Sequence, residues 1–297
     1  MVGPVTDRPE EAYLARFRRV LEHIDAHAAE PLSVERLGRI AAFSKHHFHR
    51  QFSALFEIGV HEYVKAVRLK RASDQLGFRY WRSVLDVALE SGYESPEAFA
   101  RAFKKHFGQT PTQFQSAPDW RGRAQLQQTL ETIRTDFMAP HYKLTDVKVV
   151  DFPETKLAVL EHRGDPARVD RSVRRFIEWR REVGLTPPAS TTFNIFWTDP
   201  GAVGPDNYRL DLGAGTSKPI PSNDLDIVAK TIPAGRCAVI RHIGPDPLHA
   251  PIHFLYRDWL PSSGETPRDY PLFAERVALP PQVSEHEAIV DIYLPLA

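Results

Sequence analysis

The chain has 297 residues, 42% hydrophobic and 26% charged, with 38 Lys/Arg against 38 Asp/Glu and one cysteine, Cys237. That length suits about two domains, and a single cysteine excludes an internal disulfide framework and a cysteine-rich zinc site. No apolar run reaches the roughly 20 residues of a membrane span, and the opening MVGPVTDRPEEAYLARF lacks an apolar secretory stretch, so a cytoplasmic protein without a membrane partner is expected.

The zero net charge hides an asymmetry. Residues 36–112 hold 13 Lys/Arg against 7 Asp/Glu, with five histidines besides, whereas residues 1–35 and 137–297 are both acidic. Positive charge is therefore concentrated in one segment.

That segment and its N-terminal neighbour carry helical periods. Residues 13–28 are amphipathic through Leu14, Phe17, Val20, Leu21 and Ile24. Ser33 precedes VERLGRIAAF, Ser44 precedes KHHFHRQFSALF, and a helical period runs on through residues 61–77. Ser83, with Asp86 three residues on, resembles a capping box before VLDVALESG. SPEAFARAFKKHFG then opens at Ser95 and spaces Phe99, Phe103 and Phe107 four residues apart.

A shift of 51 residues lays Ser44 on Ser95, Phe48 on Phe99, Arg50 on Arg101, Phe52 on Phe103 and Phe56 on Phe107. The short helices before them, SVERLGRIA and SVLDVALES, align with a one-residue difference in spacing. Each copy is a short helix, a tight turn and a longer helix beginning at serine, which is the shape of a helix-turn-helix. In that motif the second helix lays its N-terminal part in the major groove. Its outward residues here are Lys45, His46, His47, His49 and Arg50 in the first copy. In the second they are Pro96, Glu97, Arg101, Lys104 and Lys105. A guanidinium can grip guanine bidentately, so Arg50 and Arg101 are the leading base or phosphate contacts. One basic helix face is usually only a solvated surface; two in the same register argue for DNA. His46, His47 and His49 are adjacent rather than four apart and have no acid or cysteine cluster with them, so no metal and no cofactor is expected.

Residues 33–114 resemble the DNA-binding domain of AraC/XylS-type transcription regulators. SKHHFHRQFSALF…HEYVKAVRLKRA matches the first helix-turn-helix and the linking helix, and SVLDVALESGYESPEAFARAFKKHFGQTPTQF matches the signature around the second. One departure is Glu57, where the family has the glycine that Gly108 supplies in the second copy. The resemblance implies two recognition helices in successive major grooves, double-stranded promoter DNA as partner, and RNA polymerase as a further one.

After Phe114, Pro118 and Gly122 read as a break and residues 125–137 as a polar, helix-capable connector. From His141 the texture changes to short β-branched runs separated by proline and glycine: 143–151, 157–162, 208–212, 225–232, 237–243 and 288–296. A second repeat appears at an offset of 80, FPETKLAVLEHRG returning as IPAGRCAVIRHIG, with Phe176 on Tyr256 and Trp179 on Trp259. Two copies of a strand-turn-strand-helix unit predict one sheet with two helices packed on it. The paired His162 and His242 end strands before loops and read as polar strand-end residues. Cys237 holds the position of Leu157 and reads as a core thiol.

This half resembles the GyrI-like effector-binding domain, through the two P…AV..H.G segments, FWTDP, YRLDLG, DWLPSSG and the closing DIYLPL. The resemblance implies a small-molecule pocket between the two copies. By motif position Phe193, Trp197, Tyr208, Phe254 and Trp259 are its aromatic walls, and Glu275 and Asp291 its acids. Relatives carry a glutamate directly after a P.F pair; here PLFAER puts Ala274 there and Glu275 one step on, and one step along a strand reverses the facing direction.

The expectation is thus three parts. Residues 1–117 form an all-α double helix-turn-helix DNA-binding domain, 118–140 a connector, and 141–297 an α+β GyrI-like domain of two pseudo-repeated strand-strand-helix units. The implied function is a sequence-specific regulator responsive to a small amphipathic or aromatic effector. The alternatives are a hydrolase of small electrophiles, using Asp291 or Glu275 with Tyr208 or Tyr293, and a drug-sequestering protein.

Overall fold

A computed structural model describes residues 9–138, 142–244, 248–280, 282–283 and 285–297. The chain divides into two compact units, Met1–Ala139 and Pro140–Ala297.

The first unit is helical: α1 (Pro9–His27), α2 (Val34–Ile40), α3 (Lys45–Phe56), α4 (Val60–Phe78), α5 (Val84–Glu90), α6 (Pro96–Phe107), α7 (Pro111–Ser116) and α8 (Trp120–Met138). The serines set the starts. Ser33, Ser44, Ser83 and Ser95 are N-caps whose hydroxyls accept from the backbone N–H of Arg36, His47, Asp86 and Ala98. Each satisfies one of the amides a helix start leaves without a partner. The ends of α3 and α6 are also alike, since Glu57 (φ 55°) and Gly108 (φ 72°) both turn left-handed.

Each phenylalanine triad is buried in its own core. Phe48, Phe52 and Phe56 pack with Phe17, Leu37 and Tyr63. Phe99, Phe103 and Phe107 pack with Leu76, Val87 and Phe114. Helix α4 serves both, its Val60 to Val67 in the first core and its Leu69 to Leu76 in the second. It therefore holds the two helix-turn-helix copies at a set separation.

The connector expected at 118–140 is instead, over its described residues, a helix built into this unit. Trp120 and Leu126 enter the second core, Leu130 and Ile133 the first. Arg123 pairs with Asp74 of α4 at 2.6 Å, and Arg134 with the buried Asp25 of α1 at 2.7 Å. Gly122 does not break the helix. A Cβ there would lie 2.9 Å from the Phe107 ring, so the glycine admits a close approach of α8 to α6. Residues 139–141 lie outside the described residues.

The second unit is one eight-stranded antiparallel sheet: β1 (Val147–Phe152), β2 (Thr155–Arg163), β3 (Thr192–Phe196), β4 (Arg209–Gly215), β5 (Val228–Ile232), β6 (Gly235–Ile243), β7 (Phe273–Ala278) and β8 (Ile289–Pro295). The order β1-β6-β8-β7-β3-β4-β2-β5 reads the same from either edge once β1–β4 are exchanged for β5–β8. The 80-residue repeat is therefore a pseudo-twofold passing between β3 and β7. Each copy's first strand has crossed to the other copy, β1 onto β6 and β5 onto β2.

Among the described residues of this unit, helices pack on one face of the sheet. The inner side of α9 (Val169–Glu182) puts Phe176 and Trp179 against Ala158, Leu160, Leu210 and Leu212. The run from α10 (His249–Phe254) through Leu255–Trp259 into α11 (Leu260–Ser263) puts Leu255 and Trp259 against Ala238, Ile240, Val290 and Ile292. Two strands, β3 and β7, were not anticipated, although they form the centre of the sheet. β3 is buried at its three middle residues, and FAERVA in β7 sets two apolar residues before two charged ones, so neither reads as a half-exposed strand. Residues 143–146, expected in the first strand, are a turn that precedes it.

Candidate DNA interface and ligand-binding face

In α3 and α6 the buried phenylalanines leave the opposite side to solvent. Lys45, His46, His47, His49 and Arg50 are all exposed, as are Pro96, Glu97, Arg101, Lys104 and Lys105. Pro96 occupies the first helical position, where no amide hydrogen bond is lost. Lys45 pairs with Glu35 of α2, so part of its charge is answered within the protein. A surface cleft of about 480 Å³ gathers the five α3 residues with Val34 and His61. His61, on α4, escaped the sequence reading because its helix was assigned a linking role.

The second copy also packs against the loop that precedes the first, away from α3 and α6. A Cβ on Gly92 would sit 2.6 Å from the Ala29 carbonyl oxygen, so this turn of the second copy lies hard against the α1–α2 loop. Arg68 of α4 donates to the carbonyls of Ala28 (2.7 Å) and Glu30 (2.8 Å) in the same loop.

On the helix-free face of the sheet, strand register sets the neighbours. Phe193 on β3 faces Glu275 on β7, which faces Asp291 on β8, which faces Arg241 on β6. In the next row Asp211, Ile195, Phe273 and Tyr293 follow across β4, β3, β7 and β8. Phe152, Phe193, Phe273 and Tyr293 form an aromatic cluster, with the Phe273 and Tyr293 rings stacked at 5.0 Å. Phe193 and Phe273 are pseudo-twofold mates, as are Asp211 and Asp291.

The two aspartates are compensated differently. Asp291 takes two 2.7 Å bonds from the Arg241 guanidinium. Asp211 accepts from the Trp197 indole N–H at 2.7 Å and pairs with Lys230 at 2.6 Å, while the Arg209 guanidinium lies over the Trp197 ring at 4.1 Å. Glu275 has no cation within ion-pair distance among the described residues. Among the described residues its one side-chain hydrogen bond is from the Tyr293 hydroxyl at 3.5 Å. Burial, reinforced by Asp291, holds its carboxyl above the usual carboxylate range. Burial, reinforced by Glu275 and Asp291, raises Tyr293. Tyr270 packs edge-on to Trp197 at 6.1 Å, and burial with Asp211 nearby pushes it up to about 12.

Four of the expected ligand residues thus share this face: Phe193, Trp197, Glu275 and Asp291. The step from Ala274 to Glu275 decides the matter, since Ala274 points into the helix-side core and Glu275 to the helix-free face. Tyr208, Phe254 and Trp259 do not join them. Tyr208 shares the facing direction of Leu210 and Leu212 and lies in the α9 core, 5.9 Å from His162. Phe254 packs against Tyr142, and Trp259, 7% exposed, against the underside of β6 and β8. All three belong to the helix-to-sheet cores, not to the helix-free face.

Asp211, Arg241, Tyr270 and Phe273 were missed as members of this face. The 80-residue offset applied to Asp291 and Phe193 would have found Asp211 and Phe273. The paired histidines are anchors: His162 lies 2.8 Å from the Ser172 hydroxyl, and His242 2.8 Å from the Tyr142 hydroxyl. Cys237 is buried, and burial pushes its thiol up to about 11.

Comparison with known proteins accounts for both units. The family of GyrI-like small molecule binding domains matches residues 145–297, and a helix-turn-helix domain matches 37–117. The probable transcriptional regulator YgiV of Escherichia coli (strain K12) is 38% identical over 154 residues, covering 51% of this chain and 96% of YgiV. The right origin-binding protein of the same strain is 34% identical over 104 residues, 35% of this chain and 36% of that protein. Among solved structures, the DNA-binding domain of AdpA in complex with a target DNA is 28% identical, covers 37% of this chain and 95% of that one, and has a TM-score of 0.33. The chain belongs to the GyrI-like small-molecule-binding family, its ligand-binding domain following an AraC-type helix-turn-helix domain.

Proposed function

We propose that this protein is a cytoplasmic transcription regulator that reads promoter DNA with α3 and α6 and senses a small molecule on the helix-free face of its second unit. The observation that carries the reading is the duplicated helix-turn-helix, with two serine-capped helices in equivalent register whose outward sides are exposed and mostly basic. Phosphate contacts by such residues give affinity, and side chains at base edges give sequence preference. RNA polymerase is the machinery such a regulator acts on.

The effector is a flat aromatic or amphipathic molecule carrying a cationic or hydrogen-donating end. The partly exposed Trp197 and Tyr293 supply apolar and π surface, with Phe193 and Phe273 buried in the cluster beside them. Glu275 supplies an acid that no protein cation answers at ion-pair distance among the described residues.

The test is to incubate fragmented genomic DNA with the full chain, sequence what is retained, and repeat with the double variant Arg50→Ala/Arg101→Ala. Enrichment of a motif spanning two adjacent major grooves, lost in the variant, is the expected result. A folded wild-type protein that enriches nothing, with or without candidate ligands, sinks the reading. A second reading rests on one distance: the Tyr293 hydroxyl stands 3.5 Å from the Glu275 carboxylate, an acid and a tyrosine side by side in a partly apolar site. Turnover of a small electrophile, abolished in Tyr293→Phe, would favour hydrolysis. Tyr208 is excluded from such a pair because it lies on the other side of the sheet.

A further inference from the structure

The two helix-turn-helix copies diverge at one informative position. Under the 51-residue offset Arg50 falls on Arg101, and the residue one turn earlier is His46 in the first copy and Glu97 in the second. Each stands second in a 12-residue helix whose serine cap fixes the start. The caps make the two positions geometrically equivalent, so the chemical difference between them is a difference in what they meet.

Glu97 is exposed and has neither an ion pair nor a side-chain hydrogen bond among the described residues. Some acids of this unit are answered by cations, as Glu35 is by Lys45 and Glu90 by Arg82, while Glu22, Glu57, Asp86 and Glu94, like Glu97, have no ion pair among the described residues; what sets Glu97 apart is that it is the one acid within α3 and α6. The helix N-terminus favours a carboxylate modestly. A DNA surface opposes it, because phosphates repel it and it can only accept hydrogen bonds. The major groove offers amino donors on just two bases, cytosine and adenine, and a carboxylate suits cytosine N4. Arg101 stands one turn, about 5.4 Å, further along α6. Base steps are about 3.4 Å apart, so the two side chains reach base pairs one or two steps from each other.

We propose that Glu97 selects a cytosine beside the guanine gripped by Arg101. The first half-site, where His46 replaces the carboxylate, carries the guanine without that cytosine. The operator is then two non-identical half-sites rather than a repeat. This rests on α3 and α6 being the recognition helices.

The experiment is selection from a randomised duplex library by the full chain, comparing wild type with Glu97→Gln, Glu97→Ala and Arg101→Ala, each checked for an unchanged melting temperature. Wild type should demand cytosine at one fixed position, discriminated by roughly 5- to 150-fold. Glu97→Gln should move the preference to adenine, whose N6/N7 edge suits a carboxamide. Glu97→Ala should leave that position degenerate while the neighbouring guanine persists. An unaltered base at that position in both Glu97 variants overturns the assignment. If Arg101→Ala also leaves the selected sequence unaltered, the reading of α6 as a recognition helix falls with it; if Arg101→Ala erases the guanine, only the role of Glu97 falls.

Discussion

Glu57 and Gly108 end equivalent helices with the same left-handed backbone, φ 55° and 72°, yet only one of them is glycine. Such a conformation costs an L-residue roughly 1 kcal/mol that glycine avoids. Glu57→Gly should therefore stabilise the first unit by about that amount, read as a higher denaturant midpoint with an unchanged slope. Gly108→Ala should cost a similar amount, because nothing lies within 4 Å of an added Cβ and only the backbone term acts. A second residue-scale consequence concerns Glu275, whose carboxyl is held above its ordinary 4.5 by burial and then by Asp291. The native state thus keeps a proton that the unfolded chain releases. Ionisation of Glu275 takes stability away as pH rises through this window, and the loss is complete above the raised value. Glu275→Gln should raise the thermal midpoint at neutral pH, with the gain vanishing as pH falls below 4.5. The same variant should bind an aromatic cation such as tetraphenylphosphonium more weakly in a calorimetric titration, and wild-type binding should fade on acidification. Position 57 was legible as a departure from the pattern of the resembled family, with Gly108 as its counterpart in the second copy. The behaviour of Glu275 was not, since it depends on neighbours across three strands.

At the scale of elements, α8 departs most from its sequence. Polar composition and a Pro118/Gly122 pair look like a linker, yet the helix crosses both cores. What holds it is sparse along the chain and dense in space: Trp120 at its start, Leu126, Leu130 and Ile133 on one stripe, and Arg123 and Arg134 paired to Asp74 and Asp25. The last pair joins residues 109 positions apart and is nearly out of solvent. Removing one member of a buried pair leaves the other charge uncompensated, which costs about 3–5 kcal/mol. Asp25→Ala should lower the first unit's melting transition by that much in calorimetry and leave the second unit's transition in place. The strands show the same division. β2 and β6 were legible because AVLEHRG and AVIRHIG repeat, whereas β3 and β7 share little more than Phe193 and Phe273 under the same offset, so the repeat did not mark them.

Over the whole molecule, both units are internal duplications whose copies differ at particular positions. His46 against Glu97 distinguishes α3 from α6, and Ile195 against Glu275 leaves one end of the helix-free face acidic. The amino-acid sequence by itself determined the helix starts, the phenylalanine faces, both repeats and the basic segment, because all of these are written in local spacing and side-chain chemistry. Only the tertiary structure decided that α8 belongs to the first unit and that Glu275 rather than Ala274 faces outward. It also assigned Tyr208, Phe254 and Trp259 to the helix-side core and Phe193 and Trp197 to the other face. Those outcomes follow from strand order and from first strands exchanged between copies, which bring together residues that no spacing along the chain relates.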